Sequence, residues 1–228
     1  RDFLEKCLAA LFAVPCEITI EVIVIDNASY DGSEAMVRRL FPAVGFIQGE
    51  DNLGFARANN LAATQARGRN LLFLNPDTEV VGTAIERMVR FLDLQADAGA
   101  VGCRLLNSDG SLQTSCVQAY PTVVNQVLDS DLLQKTFPRS RLWGMRALHD
   151  EGVAPAGVEG VSGACILVRT SAFLEVGCFT EDYFMYAEDL DLCFKLQQSG
   201  RRNYYLRDAC VVHHGGQSSG ASSESQFG

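Results

Sequence analysis

Short apolar runs that end in polar residues alternate with amphipathic segments along the first half of the chain. EVIVID (21–26) and NLLFLN (70–75) are the clearest of these runs, and each ends in a polar residue at its carboxyl end. Continuous apolar runs of this length are typical of strands that are buried on both faces of a parallel sheet. Helical segments follow both runs, so we predict an α/β domain with a mostly parallel central sheet flanked by helices.

The same patterns assign further elements. Helices are predicted at 3–13, within SYDGSEAMVRRLF (29–41), at 54–68 and at 82–95, and strands at 44–48, 99–106, 159–169, 203–207 and 209–214. Residues 107–158 are less regular, and NSDGSLQ (107–113) resembles a hairpin turn. The end of the chain is rich in serine and glycine, which predicts a flexible tail.

Composition excludes several classes of protein. The 228 residues carry a net charge of −9 with scattered basic residues, which argues against binding of a nucleic-acid backbone. No apolar run approaches the ~20 residues that cross a bilayer. The eight cysteines form no C-x-x-C pair, and no secretory signal is evident. We therefore expect reduced, buried thiols and a cytoplasmic protein.

One acidic helical segment, FMYAEDLDLCFKL (184–196), contains a carboxylate on its apolar side. On a helical wheel Glu188, Asp191 and Lys195 share the polar arc, and Asp191 and Lys195 have the spacing of an ion pair. Asp189 falls among the apolar side chains, where a bare carboxylate is costly. It is either an ordinary acid in the first turn of a helix or a functional group.

Polar residues at the predicted strand ends supply candidate functional groups, because ligands bind outside the carboxyl ends of strands in open α/β sheets. Asp26-Asn27, Asp77 and His213 all occupy such positions. Taken singly, each fits an ordinary turn, cap or surface role. Together, Asp77 and His213 could serve a divalent cation on a diphosphate, which needs few protein ligands and suits Mg²⁺ or Mn²⁺.

Six ordered motifs carry a resemblance to a known family. They are VIVIDNASYDGS, DNLGFARANNLAA, LLFLNPDTEV, VSGACILVR, FMYAEDLDLCFKL and VVHHGGQSS. The chain resembles a family 2 glycosyltransferase with the GT-A fold, close to the bacterial rhamnosyltransferase-like subgroup. The resemblance implies the GT-A version of the α/β sheet, with a small antiparallel part on the acceptor side.

The resemblance also implies roles for matching residues. The catalytic pair would be Glu188 and Asp189, with Asp189 as the general base, and Asp77 and His213 would hold Mg²⁺ or Mn²⁺. Asn75 replaces the first acid of the family's DxD motif. The nucleotide would contact Asp26, Asn27, Ser29, Gly54, Asn59 and Asp77, and the sugar and acceptor would contact Ser162, Gly163 and Ala164.

The implied reaction is an inverting displacement from a nucleoside-diphosphate sugar, with dTDP-rhamnose favoured and UDP-sugars as alternatives. The acceptor would be a cell-surface glycan, in some cases lipid-linked. Arg139, Arg141, Trp143 and Arg146 suggest peripheral contact with the inner face of the membrane, or a solvated loop. A non-catalytic sugar-nucleotide-binding or degenerate transferase domain is the alternative from another class.

The resemblance implies one GT-A domain over residues 1–218. Its nucleotide-binding half covers about 1–106, its acceptor-side half covers about 107–218, and 219–228 form the flexible tail. The family's first strand has no counterpart before residue 3, so we expect it to be absent from this chain.

Overall fold

The computed structural model describes residues 1–13, 17–128, 130–150, 152, 154–183 and 187–215. The predicted tail, 219–228, and Cys16 lie outside these residues. The helices are α1 (Asp2–Ala13), α2 (Ser33–Leu40), α3 (Gly54–Ala63), α4 (Ala84–Leu94), α5 (Val123–Val127), α6 (Asp131–Thr136), α7 (Arg146–His149), α8 (Thr170–Glu175) and α9 (Glu188–Gln198). The strands are β1 (Ile23–Asp26), β2 (Gly45–Gln48), β3 (Asn70–Leu74), β4 (Thr78–Val81), β5 (Ala98–Leu106), β6 (Val117–Gln118), β7 (Ala156–Val158), β8 (Gly160–Val161), β9 (Cys165–Arg169) and β10 (Arg202–His213).

Six strands form a mixed central sheet in the order β3-β9-β5-β10, and both β4 and β7 pair with the far edge of β10. Strands β5 and β10 run parallel. The pairs β3–β9, β5–β9, β10–β4 and β10–β7 are antiparallel. Strands β1 and β2 form a separate parallel pair, and β6 and β8 form a short antiparallel pair.

The prediction of a mostly parallel sheet is wrong as to strand direction. Among the strand pairs of the described residues, only β1–β2 and β5–β10 are parallel. The prediction assumed a helical crossover between consecutive strands, which makes neighbours parallel. Strand β4, which the sequence analysis missed, instead follows β3 after residues 75–77 alone, and β9 enters between β3 and β5 in the opposite direction. The α/β class itself is confirmed.

Helices cover both faces of the central sheet. Along β9, Cys165 and Leu167 belong to the core under α4, whereas Ile166 and Val168 belong to the core under α8 and α9. This alternation follows from the two-residue period of a strand. A smaller core joins α1 and α2 to β2. The seven cysteines within the described residues carry free thiols, and five of them are buried.

Three differences from the predicted boundaries concern the elements that carry the functional groups. The run 159–169, read as one strand, is divided into β8 and β9 by residues 162–164. The runs 203–207 and 209–214 are one long strand, β10, whose register against β5 shifts between Leu206 and Cys210. Helix α3 ends at Ala63 rather than at Gly68.

Candidate active site

The two predicted metal ligands lie side by side. Asp77 immediately precedes β4, and His213, the last residue of β10, pairs with Thr78 of that strand. This pairing places Nε2 of His213 3.4 Å from Oδ1 of Asp77, which is 1% exposed. The next residue, His214, donates its backbone N–H to the carbonyl of Asp77 at 2.9 Å.

Asp77 and His213 fit a divalent cation that is carried by a diphosphate. Such an ion needs one or two protein ligands, because phosphate oxygens and water complete its coordination. A carboxylate with an imidazole suits Mn²⁺ as well as Mg²⁺. Within the described ranges no group of three or more His, Cys, Asp and Glu residues could hold a metal by itself. The donor set therefore fits a substrate-borne ion better than a closed protein site.

Asn75, at the position of the family's first acid, contributes main-chain contacts. Its N–H donates to the carbonyl of Ala164 at 3.0 Å, and its carbonyl accepts from the hydroxyl of Thr78 at 2.7 Å. These bonds tie the Asp77 segment to the 162–164 loop on one side and to β4 on the other.

The predicted base, Asp189, is held by two donors from different segments. Its Oδ2 accepts from Nε2 of Gln118 at 3.0 Å and from the backbone N–H of Gly163 at 2.7 Å. Its Oδ1 accepts from the backbone N–H of Leu190 at 2.7 Å. Asp189 is thus both an acid in the first helical turn and a carboxylate that is fixed in one orientation, so the two readings of the sequence are compatible.

Glu188 is more deeply buried than the helical wheel predicted. It is 6% exposed, its Oε2 has no hydrogen-bond partner among the described residues, and burial raises the pKa of its carboxyl. The wheel assumed a continuous helix, but α9 begins at Glu188 after Ala187, whose φ of 73° turns the chain. The predicted pair of Asp191 and Lys195 is confirmed at 3.2 Å.

The 162–164 loop connects Asp189 to the Asp77 segment. Gly163 contacts Asp189, Ala164 contacts Asn75, and the N–H of Ser162 donates to the carbonyl of Cys116 at 3.4 Å. Gly163 leaves little free space, since a Cβ there would lie 3.2 Å from the Cβ of Asp189 and 3.5 Å from the ring of Phe55. The three predicted sugar and acceptor residues therefore lie between the proposed base and the proposed metal ligands.

Four of the predicted nucleotide residues form a second group after β1. Asp26 accepts from the backbone N–H and the hydroxyl of Ser29 at 2.8 and 2.9 Å. Asn27 donates to the carbonyl of Gly54 at 3.2 Å and accepts from the N–H of Leu53 at 2.8 Å. Asn27 thereby fixes the start of α3, next to Phe55.

Asn59, the other residue predicted for the nucleotide alone, is engaged by its own helix. Its Nδ2 donates to the carbonyl of Phe55, one turn earlier in α3, at 2.9 Å. Among the described residues, the structure therefore gives the Asn59 amide a partner within α3 rather than within the Asp26–Ser29 turn.

Three amides that the sequence did not indicate support these groups. Gln118 holds Asp189, Oε1 of Gln113 lies 2.7 Å from Nδ1 of His213, and Asn107 contacts Gln113. Glutamine has no characteristic motif spacing. The one available signal was that all three lie in or near the predicted hairpin turn.

A match to a family model shows to which protein family the chain belongs. Residues 1–176 match the model described as "Glycosyl transferase family 2". The chain belongs to this family. The matched range includes Asp26, Asp77 and the 162–164 loop, and it ends before Asp189 and His213. The chain is accordingly a glycosyltransferase, which rules against the non-catalytic alternative.

Curated relatives extend the similarity over nearly the whole chain. The N-acetylglucosaminyl-diphospho-decaprenol L-rhamnosyltransferase of Mycobacterium tuberculosis is 31% identical, over 95% of this chain and 73% of the relative. The rhamnosyltransferase WbbL of Escherichia coli is 26% identical, over 94% of this chain and 79% of the relative. The family 2 glycosyltransferase is thus similar to rhamnosyltransferases.

Solved structures support the GT-A fold. GalNAc-T7 with UDP, GalNAc and Mn²⁺ superposes with a TM-score of 0.69 at 14% identity, over 92% of this chain and 40% of that chain. The mannosyltransferase PcManGT from Pyrobaculum calidifontis, with GDP-Man and Mn²⁺, gives 0.63 at 21% identity, over 93% and 53%. The chain thus spans about half or less of these proteins, and the likeness concerns the fold alone.

Proposed function

We propose that this glycosyltransferase transfers a sugar, with rhamnose favoured, from a nucleoside diphosphate to a hydroxyl of a cell-surface glycan, with inversion at the anomeric carbon. The observation that carries the proposal is the 162–164 loop, which joins Asp189 to the segment that bears Asp77. A single displacement requires the base and the diphosphate on opposite sides of the anomeric carbon, and the two ends of this loop would supply them. Similarity to rhamnosyltransferases supports the choice of sugar.

Each group has one proposed role. Asp26, Asn27, Ser29, Gly54 and Asn59 bind the nucleoside, and Ser162, Gly163 and Ala164 line the sugar and acceptor pocket. Asp189 accepts the proton of the acceptor hydroxyl as that oxygen attacks. Asp77 and His213 would hold Mg²⁺ or Mn²⁺, which when bound offsets the charge of the diphosphate leaving group. Glu188 completes the acidic pair beside the base.

The role of Asp189 is tested by paired substitutions in α9. Asp189→Asn keeps the size of the side chain but removes its basicity, so turnover should fall by about 10²–10⁴-fold. Nucleotide affinity, measured by calorimetry, should stay within a few-fold. Asp191→Asn is the matched control, because Asp191 pairs with Lys195 instead. If Asp191→Asn lost turnover while Asp189→Asn stayed active, the role of general base would pass from Asp189 to Asp191.

The donor is identified by thermal shift of the chain with dTDP, UDP or GDP, each with Mn²⁺ and then with EDTA. A nucleotide at about 100 times its Kd adds about 2.7 kcal/mol of apparent stability. We expect the largest shift with dTDP and Mn²⁺, and its loss with EDTA. An equal shift with EDTA would contradict metal-dependent binding.

We further propose that the acceptor is lipid-linked and that the enzyme contacts the inner face of the membrane through α5 and α6. The M. tuberculosis relative is named for a decaprenol-linked acceptor. Large apolar side chains are exposed along these two helices, among them Val123, Val127 and Leu132. Lys135, Arg139 and Arg141 follow closely in a chain of negative net charge, and they would attract anionic headgroups. No helix among the described residues is long and apolar enough to cross a bilayer.

The two halves of the chain would divide the work. Residues 1–106 would bind the nucleotide, and 107–218 would select the acceptor and approach the membrane. The division agrees with the proposed roles of Asp26 and Asn27 in the first half and of 162–164 in the second half.

A further inference from the structure

We propose that a chain of hydrogen bonds, which runs from the 107–111 turn through Gln113, keeps the proton of His213 on Nδ1 and leaves Nε2 free to bind the metal. The proposal rests on the proposed metal role of His213. It assigns Gln113 as a positioning residue, which acts on the metal through the histidine.

The chain of hydrogen bonds starts at a carboxylate in the turn. Oδ1 of Asp109 accepts from the backbone N–H of Ser111 at 2.9 Å and from its hydroxyl at 2.6 Å. These bonds from Ser111 lower the pKa of Asp109, so the carboxyl is ionised at neutral pH and only accepts. The hydroxyl proton of Ser111 is therefore committed to Asp109.

Because the hydroxyl of Ser111 donates to Asp109, the donor and the acceptor of each further bond toward His213 are determined. With its proton used, Oγ of Ser111 accepts from Nδ2 of Asn107 at 2.9 Å. The oxygen of the Asn107 amide then faces Nε2 of Gln113, which donates to it at 3.2 Å. The oxygen of the Gln113 amide is left pointing at Nδ1 of His213, at 2.7 Å.

A carbonyl oxygen requires a donor, so Nδ1 of His213 carries the proton. A neutral imidazole has one N–H and one lone pair, which places the lone pair on Nε2. Nε2 is the atom that lies 3.4 Å from Asp77. Without Gln113, the carboxylate of Asp77 would favour a proton on Nε2, the nitrogen that the metal needs. Histidine ligands depend on such partners, whose loss typically weakens metal binding by about 10–100-fold.

The tautomer is measured directly by long-range ¹H–¹⁵N NMR of the ¹⁵N-histidine-labelled chain, at a pH where the two ring nitrogens of His213 give the distinct shifts of a neutral imidazole. His213 is assigned by its absence in His213→Asn. We expect Nδ1–H in the wild type and in Gln113→Glu, which keeps an acceptor. Gln113→Leu should move the proton to Nε2. An Nε2–H wild type, or a Gln113→Leu spectrum without change, would overturn the proposal.

Metal binding is measured separately, as the affinity for Mn²⁺ in the presence of dTDP by electron paramagnetic resonance of the free ion. Gln113→Leu should weaken it about 10–100-fold, and Gln113→Glu should restore it to within a few-fold. Gln65→Leu is the matched control, because Gln65 is exposed beyond the end of α3 and has no proposed role.

The two measurements separate the inference from the proposed function. If the wild type has the Nδ1–H tautomer but does not bind Mn²⁺, the metal role of His213 fails while the hydrogen-bond chain stands. If Mn²⁺ binds equally to wild type and Gln113→Leu, the positioning role of Gln113 fails while metal binding stands.

Discussion

At the scale of residues, the proposed functional groups depend on amides that hold them in place. Asp77 and His213 could be predicted from the sequence because each is a polar side chain near the end of an apolar run, and Asp189 because it falls on the apolar side of an acidic helical segment. Gln113 and Gln118 could not, since their roles depend on which side chains the fold brings opposite them. The deep burial of Glu188 escaped prediction for a similar reason, because it depends on the turn at Ala187.

Gln118 should affect catalysis more than binding. Gln118→Leu removes one of the donors to Oδ2 of Asp189, so the carboxylate loses its fixed orientation and turnover should fall by about tenfold or more, with nucleotide affinity unchanged. Gln118→Glu cannot donate to Asp189 and places a second negative charge beside it, so this variant should lose at least as much turnover as Gln118→Leu. Wild-type turnover in both variants would show that Asp189 does not depend on Gln118.

Glu188 should lower stability as the pH rises. Burial raises the pKa of its carboxyl, so between its ordinary pKa of about 4.3 and the raised value the folded chain binds a proton that the unfolded chain has lost. The free energy of unfolding falls with pH across that window. Glu188→Gln removes this term, so its Tm relative to wild type should increase from about pH 4 to pH 8. A constant difference across the series would show that Glu188 does not titrate in this way.

At the scale of elements, the 162–164 loop between β8 and β9 links the two parts of the site. The sequence reads as one apolar run through residues 159–169, because small residues such as Gly163 and Ala164 do not interrupt the pattern. The interruption becomes visible only when Gly163 meets Asp189 and Ala164 meets Asn75. Elements with strong periodicity, such as α1 and α4, were predicted to within two residues.

Gly163→Ala should reduce turnover at little cost in stability. The added methyl group would lie 3.2 Å from the Cβ of Asp189, so the base must shift by a few tenths of an ångström. Such a displacement can lower turnover by up to about 10²-fold. Gly157→Ala is the control, because a Cβ there meets nothing within 4 Å. Steady-state kinetics and thermal melts compare the two variants. Equal activities would show that a methyl group at position 163 does not displace Asp189.

At the scale of the whole molecule, the polarity of the surface is uneven. Most of the chain is acidic, whereas residues 135–146 add four basic side chains to the exposed apolar ones of α5 and α6. The sequence indicated the basic residues but not the exposure of the valines and leucines, which depends on how these short helices pack. Strand direction also belongs to this scale, since it follows from long-range pairing that local periodicity does not record.

Exposed apolar residues should contribute to vesicle binding. Val127 and Leu132 are 77% and 73% exposed, and Val127→Ser with Leu132→Ser should weaken binding to vesicles rich in phosphatidylglycerol by about tenfold or more. Leu94→Ser is the control, since Leu94 is 87% exposed at the end of α4. Flotation of the three proteins gives the result. An equal loss with Leu94→Ser, or no binding by the wild type, would contradict the proposed membrane contact.

Strand β10 separates a tolerant segment from an intolerant one. Asn203, near its start, donates to the carbonyl of Cys193 in α9, and His213, at its end, faces Asp77. The register shift leaves residues 207–209 unpaired with β5, so a deletion there need not break the β5 ladder or turn His213. Residues 210–212 pair with both β4 and β5, and because side chains alternate along a strand, removal of one of them would turn His213 to the opposite face. Natural length variation in β10 should therefore be confined to residues 207–209.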